Sequence, residues 1–172
     1  MGIINPAELD LREESVVKIN RTAKVTSRGK RFRFSALVVI GDGKGHVGVG
    51  LGKANEVIAA IQKGKELAKR NIRKALIING TIPHTIIGKH GSSRILLKPA
   101  SPGTGIIAGG AIRSVCEVLG VQDVVAKSLG SANPHNVLKA CVDGLRSQNS
   151  PKILSAIRGK KISEIVLKRE VK

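Results

Sequence analysis

Polar and apolar positions begin to alternate at Ser15, where Val17 and Ile19 stand against Lys18 and Asn20 in a β-branched stretch that predicts a strand. Residues 1–13 are mixed in charge and belong to no clear element. Ser27-Arg28-Gly29-Lys30 reads as a hairpin turn, with Gly29 supplying the permissive backbone. Arg31 to Ile40 forms a second strand that ends in a buried-looking run, Ala36-Leu37-Val38-Val39-Ile40. A second turn at Gly41–Gly45 leads to a third strand, His46 to Leu51. Gly52 to Glu56 then opens a helix, whose Val57, Ile61, Ala68 and Ile72 recur at the spacing of one buried face. Gly64, in mid-helix, marks a close packing contact. Three antiparallel strands with one long helix laid on them close a first unit near Ala75.

A second unit follows Asn79-Gly80. Thr85–Lys89 and Arg94–Lys98 read as strands around a His90–Ser93 turn, before a proline and glycine loop at Pro99–Gly105. Ala108–Leu119 is a predicted helix and Val121–Lys127 a strand; Asn133-Pro134 starts a helix through Leu145, with proline in the first turn where its missing N–H costs little. The order strand, helix, strand, helix describes an α/β layer, with a right-handed crossover expected. After Ser150 the pattern gives two short helices broken at Gly159-Lys160-Lys161.

Charge narrows the class. Thirty Lys and Arg against 12 Asp and Glu give a net charge of +18, while 41% hydrophobic residues allow a packed core. Self-repulsion on that scale calls for a polyanion, and nucleic acid is the natural one. A membrane surface fits less well, since no basic amphipathic helix with bulky apolar residues opposite is evident. No apolar run reaches bilayer length, and Met1–Asp10 carries Glu8 and Asp10 in place of a signal peptide. Cys116 and Cys141 lie in helical patterns, as core residues of a reducing compartment would. The expected location is therefore the cytoplasm. His46, His84, His90 and His135 are scattered, so neither a metal nor another cofactor is expected.

Seven cations, Lys18, Arg21, Lys24, Arg28, Lys30, Arg31 and Arg33, fall within sixteen residues that contain no acid. Clustered on one protruding turn, they suit a groove or junction in folded RNA. A solvated face is the plainer reading of such a run. Gly48-Val49-Gly50-Leu51-Gly52-Lys53 running into a basic helix, with Lys69 and Arg70, reads as a phosphate site at a strand-to-helix corner, as in double-stranded-RNA-binding domains. A tight turn that needs glycine for geometry is the alternative. Phe32 and Phe34, the only Phe, Tyr or Trp residues, share one strand face and could form a miniature stacking platform, but such a pair is more often sheet core, so helical RNA is the better target.

An enzyme is suggested by Gly43–Gly48, which fits GxGxxG, and by Gly103–Ala108, which fits GxGxxA with Asp123 downstream. Neither has the required context. The first joins two strands; the second is separated from its strand by two prolines, and Asp123 stands at the start of a strand. Walker A, GxSxG, HExxH and paired-carboxylate motifs are missing from the sequence, so no catalysis and no small-molecule substrate are expected.

GKRFRFSALVVIGDGKGHVGVGLGKANEV, residues 29–57, resembles the signature of small-subunit ribosomal protein five of the bacterial type. PASPGTGIIAGGAIRSVCEVLGVQDVVAKSLGSANPHNVLKA, residues 99–140, resembles that family's second block, and with the INRTAKVTSRGKR arm the likeness spans all but the termini. The resemblance implies an α/β (α+β) protein: a tail at 1–13, a double-stranded-RNA-binding-like three-stranded sheet with one helix at 14–77, an α/β domain of the family's C-terminal type at 78–149, and a helical tail at 150–172. It implies a cytoplasmic bacterial ribosome, an organellar one being the weaker alternative. The protein would bind small-subunit ribosomal RNA, brace head against body, adjoin ribosomal proteins four and eight, and be linked functionally to protein twelve. Arg21 to Lys30 would form the arm, with Thr22, Ala23 and Lys24 nearest the spectinomycin pocket, where family members more often carry Val-Ser-Lys. Gly105 and Arg113 would face protein four and bear on translational accuracy.

Overall fold

The computed structural model describes residues 11, 13–27 and 29–166. Most of the expected N-terminal tail, and Arg28 of the expected hairpin turn, lie outside the described residues. Two sheets carry the fold. In the first, strands β1 (Glu13–Thr26), β2 (Gly29–Gly41), β3 (His46–Ala54) and the two-residue β4 (Arg73–Lys74) follow one another antiparallel, with helix α1 (Val57–Arg70) between β3 and β4. In the second, β5 (Ile86–His90), β6 (Ser93–Pro99), β7 (Ile106–Ile107) and β8 (Val124–Ser128) take the order β5-β6-β8-β7, with β7 parallel to β8 across helix α2 (Gly110–Leu119). Helices α3 (Pro134–Arg146), α4 (Pro151–Arg158) and α5 (Ile162–Val166) complete the described chain. The architecture is the expected α+β one, with the first sheet extended by the short fourth strand.

β3 runs three residues further than its sequence pattern suggests, and glycine is the reason. Gly48, Gly50 and Gly52 point the bare face of the strand at α1. A methyl group on Gly50 would lie 2.1 Å from the Gly64 carbonyl, and one on Gly52 only 2.4 Å from the Gly64 backbone nitrogen. The helix answers with small residues, so its buried stripe is Ala60, Gly64 and Ala68, with Ile61 half-buried beside them. Gly64 is therefore the close contact that its mid-helix position suggested. Ile72, expected on the same helical face, is buried in the connection beyond the helix.

The first sheet is not closed by α1 alone. Ala36, Val38 and Ile40 face the helix, while Leu37, Val39 and Val47 on the opposite face join one core with Val115, Val118 and Leu119 of α2 and with Leu138 and Cys141 of α3. The backbone N–H groups of Gly43 and Gly45 donate to the Val118 and Leu119 carbonyls, both at 3.1 Å, and fasten the β2–β3 turn to the end of α2. The connection between the sheets turns at Asn79 and Gly80, whose φ values of +50° and +73° suit a two-residue turn between Ile78 and Thr81. Cys116 and Cys141 are buried, unbridged core residues. The Cys141 thiol is pushed up by its hydrogen bond with Cys116 and by burial. Asn133 caps α3, its side chain accepting from the His135 N–H at 3.2 Å, and Pro134 follows in the first turn.

Candidate nucleic-acid interface

Beyond the Phe34–Ala54 pair, the β1–β2 hairpin has no neighbouring strand and projects for about five residues, or about 17 Å at the rise of a strand. Its register decides what each face carries. A bulge between Val16 and Lys18 sets Lys18 opposite Leu37, and pairing then runs unbroken to Thr26 and Gly29. Residues opposite one another share a face. Lys18, Thr22 and Lys24 therefore stand with Arg33 and Arg31 on one side, while Arg21 and Lys30 stand on the other with Phe34 and Phe32.

The first face continues from the arm onto the body of the sheet. Lys53, paired with Ser35 on β3, extends it, and the N-terminus of α3 walls it in. The result is a cleft of about 390 Å³ lined by Lys18, Asn20, Thr22, Arg33, Ser35 and Lys53 from the sheet, with Leu37 and Leu51 beneath, and by Asn133, Pro134 and His135 across from them. No Asp or Glu occurs from residue 18 to 41. His135 is held below its ordinary pKa first by burial and then by the charges of Lys139, His90 and Lys53. Its Nδ1 is buried without a hydrogen-bond partner. An anion entering the cleft would meet three cations, Lys18, Arg33 and Lys53, with the His135 imidazole beside them.

The second face works differently. The Arg21 guanidinium lies 3.7 Å from the centroid of the Phe32 ring, a cation–π contact that orders the arginine on an otherwise exposed strand. Phe34 is half-buried against the α1 side of the sheet. The two phenylalanines thus share a face but form no open platform.

The expected residues divide accordingly. Lys18, Arg33 and Lys53 meet at the cleft, with Lys24 and Arg31 further along the same face; Arg21 and Lys30 are behind it. Thr22 lies on the cleft side, its hydroxyl donating to the Arg33 carbonyl at 3.2 Å, and Ala23 on the reverse. Lys69 and Arg70 occupy the last turn of α1, which packs on the other side of the sheet, and Arg70 shares a groove along β3 with Lys53, Lys63 and Glu66. The Gly48–Lys53 stretch needs correcting. Its glycines make room for α1 within a strand, and the helix begins only at Val57 behind Glu56, so the stretch is strand and not a loop at a helix start. His135 and Asn133 are the residues that local reading missed: in sequence they mark only a helix start.

At the far edge of the second sheet, Gly105 and Arg113 come together around β7. Gly105, with φ +74°, donates its N–H to the Asp123 carboxylate at 2.8 Å, and the Arg113 guanidinium donates to the Ile106 carbonyl at 2.8 Å. Asp123 is buried, and its carboxylate is used to hold this loop. Among the described residues no three His, Cys, Asp or Glu cluster as metal ligands, and no helix is long and apolar enough to cross a membrane.

A cationic, acid-free arm on an α+β scaffold suits a polyanionic partner, and comparison with known proteins gives the family. Residues 12–75 match the model of the ribosomal protein S5 N-terminal domain, and residues 88–158 that of the ribosomal protein S5 C-terminal domain. The chain is 56% identical over 152 residues to the small ribosomal subunit protein uS5 of Halorhodospira halophila, covering 88% of this chain and 91% of that one. It is 52% identical over 160 residues to the same protein of Alkalilimnicola ehrlichii, covering 93% and 96%, and 50% identical over 152 residues to that of Syntrophobacter fumaroxidans, covering 88% and 92%. The chain belongs to the ribosomal protein S5 family, whose members are structural proteins and not enzymes.

Proposed function

We propose that the protein is a structural constituent of the small subunit of a bacterial, cytoplasmic ribosome and binds its RNA through the arm-to-cleft face. The observation that carries this reading is the gathering of Lys18, Lys24, Arg31, Arg33 and Lys53 on one acid-free face that ends in a cleft. Phosphates brought close together at an RNA junction repel one another; a track of fixed cations lowers that repulsion and releases counterions. No bond is made or broken. On the same reading the arm, with Thr22 to Lys24 nearest the spectinomycin pocket, and the cleft together brace head against body. The loop of Gly105 and the exposed Arg113, drawn to one edge by Ile106, face ribosomal protein four and contribute to accuracy through a link to protein twelve; protein eight is a further neighbour.

The test compares two sets of substitutions. Lys18→Gln, Lys24→Gln, Arg31→Gln and Arg33→Gln together should flatten the log–log salt dependence of binding to small-subunit RNA by about three, at about 0.7–0.9 per lost phosphate contact. Arg21→Gln with Lys30→Gln, on the reverse face, should change it by about one or less. Equal slopes for the two variants would refute a single recognition face. Arg113→Gln should leave RNA binding intact while loosening assembly with neighbouring proteins.

A further inference from the structure

The second sheet has helices on one face only. Gly88, Ile95 and Leu97 turn toward α3: a methyl on Gly88 would meet the Ala140 carbonyl, and Ile95, Leu97 and Val124 enter the common core. The strand period of two then sends Ile87, Lys89, Arg94, Leu96, Lys98 and Lys127 to the opposite face. Register sets them in rows: Lys89 beside Arg94, Ile87 beside Leu96 and then Lys127, and Lys98 beside Val125. No described element packs over this face. All four cations are exposed, and none makes an ion pair among the described residues.

We infer that this open face is a second RNA-binding surface, separate from the arm and cleft, that takes the backbone of helical RNA. The inference rests on the reading of the protein as RNA-binding. Charge selects the occupant. The acidic residues of the second unit are elsewhere: Asp123 is buried in the β7–β8 loop contact, Glu117 lies on α2 and Asp143 on α3. A face that only needed to stay in water would mix signs, as the Arg113–Glu117 pair on α2 does. Four like charges at cross-strand distances repel until an anion joins them. The exposed apolar groups on this face, Ile87 at 57% among the cations and Ile107 at 54% on the edge strand beside Val125, fit against ribose rather than bulk solvent. Sheet faces that stack unpaired bases carry aromatic side chains, and this one has none, so the ligand is duplex phosphate and ribose.

The full-length protein carrying Lys89→Gln, Arg94→Gln, Lys98→Gln and Lys127→Gln is measured for binding to small-subunit ribosomal RNA across a salt series, beside the arm variant described above. The expected result is a log–log slope flatter by about three with an unchanged melting temperature. In the wild-type complex, Lys89, Lys98 and Lys127 should be protected from an amine-reactive label that modifies them in the free protein. An unchanged slope with full labelling, while the arm variant still flattens, overturns this inference and leaves the arm reading in place. Unchanged slopes in both variants overturn RNA binding as a whole. Protection that arrives only when other small-subunit proteins are added assigns the face to a protein partner and likewise overturns the inference.

Discussion

Replacing Gly50 with alanine should be among the most damaging small changes this protein can undergo. The added methyl would sit 2.1 Å from the Gly64 carbonyl oxygen and 2.5 Å from the Ala68 nitrogen, where ordinary contact begins at 3.4 Å. Both obstacles are helix backbone, so no side chain can rotate away, and α1 must lift by about 1 Å along its length. Overpacking a core typically costs about 1–3 kcal/mol, and relief here loosens the helix from its sheet, which places Gly50→Ala at about 3 kcal/mol or above. Gly64→Ala is the control. Its methyl meets the Val38 Cγ2 at 2.9 Å, closer than real contacts come, and the Gly52 nitrogen at 3.4 Å, so a fully buried, stiff side chain must shift. Against that stands the gain of about 0.5–1 kcal/mol from replacing glycine in mid-helix, so the net loss should be about 1 kcal/mol, well below that of Gly50→Ala. Thermal unfolding followed by circular dichroism would show Gly50→Ala lower by about 6–12 °C and Gly64→Ala within about 3 °C of wild type. Equal losses for the two variants would refute the close strand–helix contact.

Other measurements probe the loop and the cleft. Gly105→Ala meets open space but forces a side chain into φ +74°, so it should cost about 1–2 kcal/mol in a urea titration, whereas Gly110→Ala, unstrained at the first turn of α2, should cost nothing. Burial, followed by the charges of Lys139, His90 and Lys53, holds the His135 pKa below its ordinary value in the free protein, and a phosphate beside it would favour the charged form. RNA affinity should therefore rise as pH falls below about 6.5, by up to about tenfold per unit of pKa recovered, and His135→Gln should remove that increment from a pH series at fixed salt. Burial pushes the Asp42 carboxyl up, but the His46 and Lys44 N–H groups and the His46 ring outweigh it and hold it below its ordinary value near 3.8. Its stabilising contribution is present above that value and is lost as pH falls through the lower folded one. The stability gap between wild type and Asp42→Ala should accordingly close in acid below about pH 4, as read by denaturant titration.

The elements were largely legible because period two and period 3.6 are local properties: the three long strands, both helices of the second unit and the broken helical tail fall where hydrophobic spacing puts them. The basic hairpin was legible too, since its charges are adjacent in sequence. What pattern could not resolve was face. The bulge between Val16 and Lys18 shifts the register of β1, and only the paired strand shows that Lys18 stands with Arg33 while Arg21 stands behind. The cleft wall was hidden for another reason, since Asn133 and His135 reach it through tertiary packing from 80 or more residues away. The glycine stretch was misread because a phosphate loop and a close strand–helix contact share a composition. Their spacing differs, with Gly48, Gly50 and Gly52 at the strand period and Ala60, Gly64 and Ala68 at every fourth helical position, and that combination was available in the sequence.

The shared core carries a cost in time. During synthesis the first sheet emerges with Leu37, Val39 and Val47 uncovered, and the apolar surface of α2 that seals them is translated later. About 45 residues separate the end of β4 from the end of α2, an interval of about 2–9 s at bacterial elongation rates of about 5–20 residues per second. Throughout that interval the nascent chain offers a sticky, half-finished sheet beside a strongly cationic hairpin. The helix that ends the exposure is thus a kinetic safeguard as much as a structural one, and mutations that delay its docking would surface first as losses to aggregation or proteolysis before assembly.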